Sequence, residues 1–191
     1  MNRRVYRRIW ECLNRATGRG RSPFSMMQAA TVGLDSSPQV RTIVLRRSNE
    51  AAGSVSFVTD LRSAKVAELG GDPRISLVGC DFGANIQMRL KGKALIHAEG
   101  AEKQAAWSTL RDRTVILFRA PLPPGTPIRS PSEGHVQATG ALPEGDDGYQ
   151  NFCLVDVSLT YLEWLDLSAP GHERVSFFRN DGPWVGSWIA P

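Results

Sequence analysis

Short segments in which apolar and polar residues alternate dominate the chain from about residue 28 onward. Alternation with a period of two is typical of strands that bury one face, and clusters of Gly, Pro, Asn, Asp and Ser between them indicate turns. One such cluster, Asp35-Ser36-Ser37-Pro38, predicts a hairpin between its flanking strands. The predicted strands cover residues 28–34, 39–45, 54–59, 75–80, 86–98, 152–157, 161–167 and 175–178, with a further candidate at 184–189.

Helical periodicity is confined to a few segments. Val5, Ile9 and Leu13 recur at helical spacing and predict an N-terminal helix over about residues 3–17, which Gly18 ends. Two shorter helices are predicted over residues 63–69 and 101–110.

Residues of about 119–149 form a long segment rich in Pro, Gly, Ser and Thr. They show no periodicity and are predicted to be a long loop or an ordered lid. Many short sequential strands and few helices favour an antiparallel β-barrel, because closing a sheet removes its exposed edges. The sequence therefore predicts one mainly β domain over residues 1–191.

Composition narrows the class of protein. The chain has 191 residues, of which 41% are hydrophobic and 22% charged, as in ordinary globular domains. It holds no apolar run long enough to span a membrane, and Cys12, Cys80 and Cys153 lie too far apart for a disulfide framework. These features predict a cytoplasmic protein without a membrane partner.

Positive charge is concentrated at the N-terminus. Residues 1–21 carry seven arginines against the single acid Glu11, a net charge of +6, whereas the remainder carries 16 basic and 18 acidic residues, a net charge of −2. Arginine-rich helices bind nucleic acids or acidic partners in some proteins. A solvated terminal helix carries such charge equally well, and aromatic residues at stacking positions are not evident. Nucleic-acid binding is therefore not favoured.

Several common active sites are excluded by their missing motifs. The sequence contains no HExxH, no P-loop, no dinucleotide-binding GxGxxG and no GxSxG. His97, His135 and His172 lie too far apart for a local metal motif. No metal is expected, and hydrolytic chemistry is disfavoured.

Cations and hydroxyls near two predicted strands form a candidate anion site. Arg41 and Arg46 lie at the two ends of an apolar strand and face opposite sides of it. Thr59, Ser63 and Lys65 follow where the next strand leads into a helix, so that amides, hydroxyls and an ammonium group could converge on one dianion. In the alternative interpretation, Ser63 only caps the helix and Lys65 is solvated.

Four segments in order resemble the pyridoxamine 5'-phosphate oxidase family. They are Arg41–Arg46, Thr59–Lys65, Asp72–Leu77 and Ile86–Ala94, which match the family pattern R-x-V-x-L-R/K, T-D/N-x-x-S-x-K, N/D-P-x-x-x-L and a Gln before Gly-x-Ala. The order makes a chance match improbable. Over about residues 28–98 the chain resembles most closely the branch of Alr4036-type FMN-binding proteins.

The resemblance implies an FMN-binding split β-barrel that forms a homodimer with FMN at the interface. Arg41 and Lys65, aided by Ser63, would hold the phosphate; the backbone of residues 43–45 would border the flavin ring; and Gln87 would bond its polar edge. The cofactor-binding residues that the resemblance implies are Arg41, Thr42, Ile43, Val44, Leu45, Arg46, Val58, Thr59, Ser63, Ala64, Lys65 and Gln87.

The resemblance also implies a substrate site. Arg46 stands where the oxidases carry a Lys near the substrate phosphate, and Trp107 and Arg111 keep the spacing of a Tyr and an Arg that contact it. Arg174 lies in the segment 172–177, which resembles the late signature of the branch with two arginines replaced. These four residues are the substrate-binding candidates; no catalytic residue is identified.

Two departures bear on the cofactor. Ala64 replaces an Arg that is frequent in the oxidases, which removes one phosphate cation. A flavin-stacking Trp of the oxidases corresponds to Trp164 or Leu165, between which the alignment does not decide.

Two functions are consistent with this pattern. The first is an FMN-dependent oxidoreductase whose substrate is not pyridoxamine phosphate itself. The alternative is a flavin-binding regulatory or storage protein without turnover, which Ala64, Trp107 and the altered segment 172–177 favour.

Overall fold

Strands dominate the protein, as a computed structural model shows for residues 2–18, 20, 22–134, 148–168 and 171–191. The helices are α1 (Arg3–Thr17), α2 (Ala64–Gly71), α3 (Gly100–Trp107) and α4 (Asp112–Val115), with 3₁₀ turns at Ile116–Arg119, Pro131–Gly134 and Tyr149–Asn151. The strands are β1 (Met26–Val32), β2 (Pro38–Asn49), β3 (Ser54–Asp60), β4 (Arg74–Asp81), β5 (Ile86–His97), β6 (Phe152–Asp166), β7 (Glu173–Phe178) and β8 (Val185–Trp188). Within these ranges, no helix combines the length and apolar character that crossing a membrane requires.

The strands close into an antiparallel barrel. Their order is β3-β2-β1-β4-β5-β6, and β3 pairs with β6 to close the ring, while β7 and β8 extend the sheet beyond β6. This arrangement confirms the expected mainly β fold of the split-barrel type. Closure leaves the ladder edges of β1–β6 paired, which is the physical reason for the barrel.

The strand β6 differs from the prediction. Residues 152–157 and 161–167 were expected to form two strands, but Phe152–Asp166 is continuous. Its first half pairs with β3 and its second half with β7, so one long strand serves two partners. Its register on β5 shifts at Gly92, where a Cβ atom would lie 2.2 Å from the carbonyl oxygen of Ser158. The shift depends on that close backbone approach, which favours glycine.

Helix α1 packs its apolar face into the main core of the barrel. Its side chains Val5, Ile9, Trp10, Leu13 and Ala16 are all buried there. Burying a large apolar side chain contributes about 1.5–3 kcal/mol, so packing holds the helix. The arginines on its other face remain exposed at Arg3, Arg4, Arg7 and Arg15.

A smaller core lies beneath α3 and α4. Trp107 makes edge-to-face ring contacts there with Phe118, Tyr149 and Phe152, at centroid distances of 5.2–5.9 Å. Of the predicted loop at 119–149, residues 135–147, with His135, lie outside the described residues.

Candidate functional site

Two cations meet where β3 leads into α2. Arg41 faces the barrel interior at the end of the sheet, where its Nη2 lies 2.6 Å from Oε2 of Glu68 and its Nη1 donates to Thr31. Lys65 donates from Nζ to Oγ1 of Thr59 at 2.9 Å. Strand β2 thus supplies one cation and α2 the other, and the carboxylate of α2 fixes the guanidinium in place.

The cluster carries an excess of positive charge. Burial and the neighbouring Arg41 lower the pKa of Lys65. Among the described ion pairs, Lys65 has no carboxylate within 4 Å. Glu68 therefore pairs with Arg41 alone, and Lys65 lies beside this pair without an ion-pair partner among the described residues. Both cations are next to the amino end of α2, whose first amides lack intrahelical acceptors. This donor set fits a phosphate group.

Ser63 and Ala64 lie at the start of α2, beside the two cations. Ser63 occupies the N-cap position of α2, but its hydroxyl donates to the carbonyl oxygen of Asp60 at 2.7 Å and caps no amide. It is buried, and Lys65 is half-buried. Ala64 is exposed and opens α2, so only its backbone amide can face an anion.

The strand β2 presents two different faces. Ile43 and Leu45 are buried in the core, whereas Thr42 and Val44 are exposed on the outer face. The outer strip continues to Val58 on β3, which lines the same cavity as Val44. An apolar strip beside extended backbone suits a flat ring.

A cavity of about 530 Å³ adjoins this strip. Arg46 from β2 and Arg111 from the start of α4 line it, together with Arg113. Burial, followed by the charges of Arg111 and Arg113, lowers the pKa of Arg46. The structure thus brings two of the four substrate-binding candidates into one electropositive cavity.

The other two substrate candidates lie elsewhere. Trp107 packs among aromatic rings beneath α3 and is not part of the cavity lining. Arg174 lies on β7, where its Nη2 is 3.0 Å from Oε1 of Glu163.

Gln87 belongs to a row that crosses the outer face of the sheet. Cys80, Gln87, Leu165 and Arg174 stand directly opposite one another on β4, β5, β6 and β7. Leu165 therefore shares a face with Gln87, whereas its neighbour Trp164 is buried in the core. The register places the leucine, and not the tryptophan, on the surface that carries Gln87.

Arg174 is held by a buried carboxylate. Glu163 is only 2% exposed, and it also lies 3.5 Å from Arg89 and accepts a hydrogen bond of 2.5 Å from the hydroxyl of Tyr161. Burial raises the pKa of Glu163, but the hydrogen bonds from Tyr161 and Arg174 outweigh it and leave the pKa lowered. Burial and the same carboxylate raise the pKa of Tyr161 to about 12.

One chain does not bring the phosphate cluster and the Gln87 row together. Three strand steps, from β2 through β1 and β4 to β5, separate Arg41 from the position opposite it on β5. At about 4.8 Å a step this is roughly 14 Å across the sheet, with Gln87 three residues further along. Arg41 faces inward and Gln87 outward, so within a single chain the two groups of residues lie apart on different strands and on opposite faces of the sheet.

Sequence reasoning missed Glu68, Arg47 and Arg113. Glu68 lies three residues after Lys65 on α2, but its ion pair is with Arg41 of β2, a long-range contact that local spacing does not indicate. Arg47 lines the cavity beside Arg46 because the register of β2 on β3 shifts between Leu45 and Arg47. Nothing in the pattern of β2 signals that shift.

Comparison with known proteins agrees with this architecture. Residues 7–98 match the sequence profile described as "Pyridoxamine 5'-phosphate oxidase, FMN-binding domain". The chain is 27% identical to the pyridoxine/pyridoxamine 5'-phosphate oxidase 2 of Arabidopsis thaliana, over 80% of this chain and 78% of that one.

Solved structures show the same fold over nearly the whole chain. A pyridoxamine 5'-phosphate oxidase-related, FMN-binding protein of Nostoc punctiforme has a TM-score of 0.78 and 26% identity, with 96% of each chain covered. PhzG of Burkholderia lata, at 19% identity, has a TM-score of 0.74 with 98% of this chain and 91% of that one covered. The second likeness concerns the fold alone. The profile and the Nostoc structure together show that the chain is similar to the pyridoxamine 5'-phosphate oxidase-related FMN-binding proteins, and both support FMN as its cofactor.

Proposed function

We propose that the protein is an FMN-dependent oxidoreductase that acts on an anionic substrate other than pyridoxamine 5'-phosphate. The observation that carries the proposal is the pair of cations Arg41 and Lys65, of which only Arg41 is paired with a carboxylate, so that positive charge remains for the FMN phosphate. Ser63 and the amide of Ala64 would complete that phosphate site. Thr59 positions Lys65 through their hydrogen bond of 2.9 Å.

The flavin would lie along β2 with its phosphate at Arg41. Between Arg41 and Arg46 the strand rises about 16 Å, so the ring reaches the cavity that Arg46 lines. The backbone of Ile43, Val44 and Leu45 borders it, with Thr42 and Val58 beside it. FMN supplies hydride transfer at N5 when it is bound. The role of the protein is to hold the reacting carbon of the substrate against the flavin ring.

We propose that a second copy of the chain completes each site. The row formed by Gln87, Leu165 and Arg174 would come from the partner, so that the amide of Gln87 offers a donor and an acceptor to the polar edge of the flavin. Exposed apolar side chains on the outer face of the sheet, such as Met26 and Val40, support such an interface. In this arrangement, residues 1–191, including α1 and the segment 119–149, form one domain of a homodimer.

The substrate site would be the cavity of Arg46 and Arg111. The relative from Arabidopsis is named for pyridoxine and pyridoxamine 5'-phosphates, but this chain lacks two features expected for that substrate. Trp107 has no hydroxyl and lies within an aromatic cluster, and Arg174 is bound to Glu163. The arginines of the cavity therefore support an anionic substrate without specifying the pyridine compound.

A non-catalytic flavin-binding role is the second candidate. Ala64 and Trp107 favour it, because both replace residues that the oxidases use to bind the cofactor or the substrate. The discriminating experiment mixes the oxidised yellow protein anaerobically with a panel of anionic substrates or with a nicotinamide in a stopped-flow instrument. The reduced protein is then mixed with oxygen to follow its reoxidation. Substrate-dependent reduction with multiple turnovers supports the oxidoreductase. Bound FMN that no substrate or nicotinamide reduces would leave only the binding role.

A further inference from the structure

Four arginines line the cavity beside the expected flavin site, two on each wall. Arg46 and Arg47 come from β2, and Arg111 and Arg113 from the segment that leads into α4 and from α4 itself. Only Arg46 and Arg111 were expected at a substrate site. The additional pair is the feature from which a more specific substrate class can be inferred.

A bulge explains why consecutive arginines share the cavity. On a regular strand Arg46 and Arg47 would point to opposite faces, because side chains alternate. The pairing of β2 with β3 shifts between Leu45 and Arg47, which opposes Ser56 directly. Such a bulge re-aims a side chain and is common next to functional sites. Here it adds a second guanidinium to the strand wall.

None of the four charges is neutralised by an ion pair in the described part of the chain. No carboxylate lines the cavity, and none of the four arginines belongs to an ion pair there. Arg111 and Arg113 are close enough to Arg46 to disfavour its charged form, after burial itself. Placing like charges together costs free energy, and one anionic group has too few oxygen atoms to accept bidentate hydrogen bonds from four guanidinium groups.

The space suits a ligand longer than one phosphate group. The cavity is about 530 Å³ and meets a second groove of about 470 Å³ that shares Thr17, Arg46 and Arg47. The groove continues past small polar side chains of β2 and β3 to Asp156, which His97 holds at 2.9 Å. Volumes in this range accept small-molecule ligands.

We propose that this cavity takes a substrate with two separate anionic groups, phosphate or carboxylate. Arg46 and Arg111 bind the first group, and Arg47 and Arg113 bind the second. That the ligand is a substrate rests on the proposed oxidoreductase function. The binding of a double anion does not depend on turnover.

The test compares single and double anions of matched chemistry on the full chain, with and without FMN, by isothermal titration calorimetry at physiological salt. The probes are methylphosphonate against alkane bisphosphonates of increasing length, and butyrate against glutarate. Tethering converts the second contact into an intramolecular one, so a double anion of suitable length should bind about a hundredfold more tightly than its single counterpart.

Variants then separate the two pairs. Arg47→Ala and Arg113→Ala should each weaken the double anion about tenfold and the single anion less than threefold, whereas Arg46→Ala should weaken both. Arg3→Ala, an exposed arginine on α1, is the control for the loss of one charge. All these side chains are exposed, and far-ultraviolet circular dichroism checks each fold.

Three results would overturn the proposal. The first is equal affinity for single and double anions, both as phosphonates and as carboxylates. The second is that Arg47→Ala and Arg113→Ala change the affinity no more than Arg3→Ala does. The third is loss of double-anion binding when FMN is loaded, which would mean that the cavity holds the phosphate of FMN. A failure of FMN to bind or to be reduced contradicts the proposed function instead, and leaves the anion comparison readable on the protein without FMN.

Discussion

Arg41 on β2 and Glu68 on α2 form an ion pair of 2.6 Å at the end of the barrel, with 22% and 7% of their side chains exposed. The carboxylate also accepts a hydrogen bond of 2.5 Å from Thr31. Glu68 therefore orients Arg41 and neutralises part of its charge, while Lys65 beside it has no such partner in the described chain. The two cations of the phosphate site should respond differently to mutation.

We expect Lys65→Ala to weaken FMN binding by about 1.5–3 kcal/mol, the range for a charge-assisted hydrogen bond. Its effect on the free energy of unfolding without FMN should be small, because the alanine leaves no buried carboxylate unpaired. Titration of the protein with FMN, followed by quenching of flavin fluorescence, measures the loss. Lys93→Ala, which removes an exposed lysine of β5, is the control. An unchanged dissociation constant would place the phosphate elsewhere.

Arg41→Ala should weaken FMN binding comparably, but it should also destabilise the protein without FMN. The substitution leaves Glu68 buried without its cation, which costs about 1–3 kcal/mol or more for a charged group. A double-mutant cycle with Glu68→Gln isolates the pair: the double variant should lose less stability than the two single variants sum to. Urea denaturation of the four proteins provides the numbers. Strict additivity would show that the ion pair does not stabilise the fold.

The interface proposal predicts complementation between two damaged chains. Lys65→Ala damages the phosphate side of the site, and a Gln87→Ala, Arg174→Ala double variant damages the side that the partner would supply. In a mixed dimer, one site then carries both defects and the other is intact. Co-refolded mixtures should recover tight FMN binding at up to one site per mixed dimer, which equilibrium dialysis detects. Recovery requires a shared site, so its absence, or a monomer on sedimentation, contradicts the proposal.

The alternation of β2 was sufficient to predict that Arg41 and Arg46 face opposite sides of the strand, and in the structure Arg41 lies on the inward face with Ile43 and Leu45. It could not predict the bulge before Arg47, because a bulge depends on how β3 pairs and not on the residues of β2 alone. The continuity of β6 was missed for the same reason. Its two halves have different partners, and strand pairing is a long-range property that local periodicity does not contain.

Strand β6 shows how the register of a strand decides which of two neighbouring residues lies on a given face. Local sequence left Trp164 and Leu165 as equal candidates, because a shift of one residue exchanges the faces of a strand. The pairing of Met88 with Trp164, both buried, fixes the tryptophan inside and Leu165 outside. Chemistry alone would favour the tryptophan for stacking on a flavin, whereas the strand register places the leucine on that face.

Glu163 provides a prediction about pH. Its pKa is lowered in the folded protein, so the stabilisation that it contributes is fully present above its unfolded value near 4.5 and is lost as the pH falls through the folded value. Glu163→Gln should therefore reduce the free energy of unfolding by about 1–3 kcal/mol at pH 7. The difference from the parent protein should shrink below pH 4.5. Urea denaturation between pH 3 and 7 tests this, and a constant difference would contradict it.

Pyridoxamine and pyridoxine 5'-phosphates should be oxidised poorly or not at all by the FMN-loaded protein. Trp107 cannot donate the phenolic hydrogen bond, and its packing against Phe118 and Phe152 holds it outside the cavity lining. Each lost charge-assisted contact costs about 1.5–3 kcal/mol. Because about 1.4 kcal/mol corresponds to a factor of ten in rate, two lost contacts should lower kcat/KM by about a hundredfold or more. Trp107→Tyr should not restore activity, because the ring stays in its cluster. Peroxide release measured with both compounds decides the matter: turnover near one per second, within the ordinary range for enzymes, would show that Arg46 and Arg111 suffice to hold the substrate phosphate.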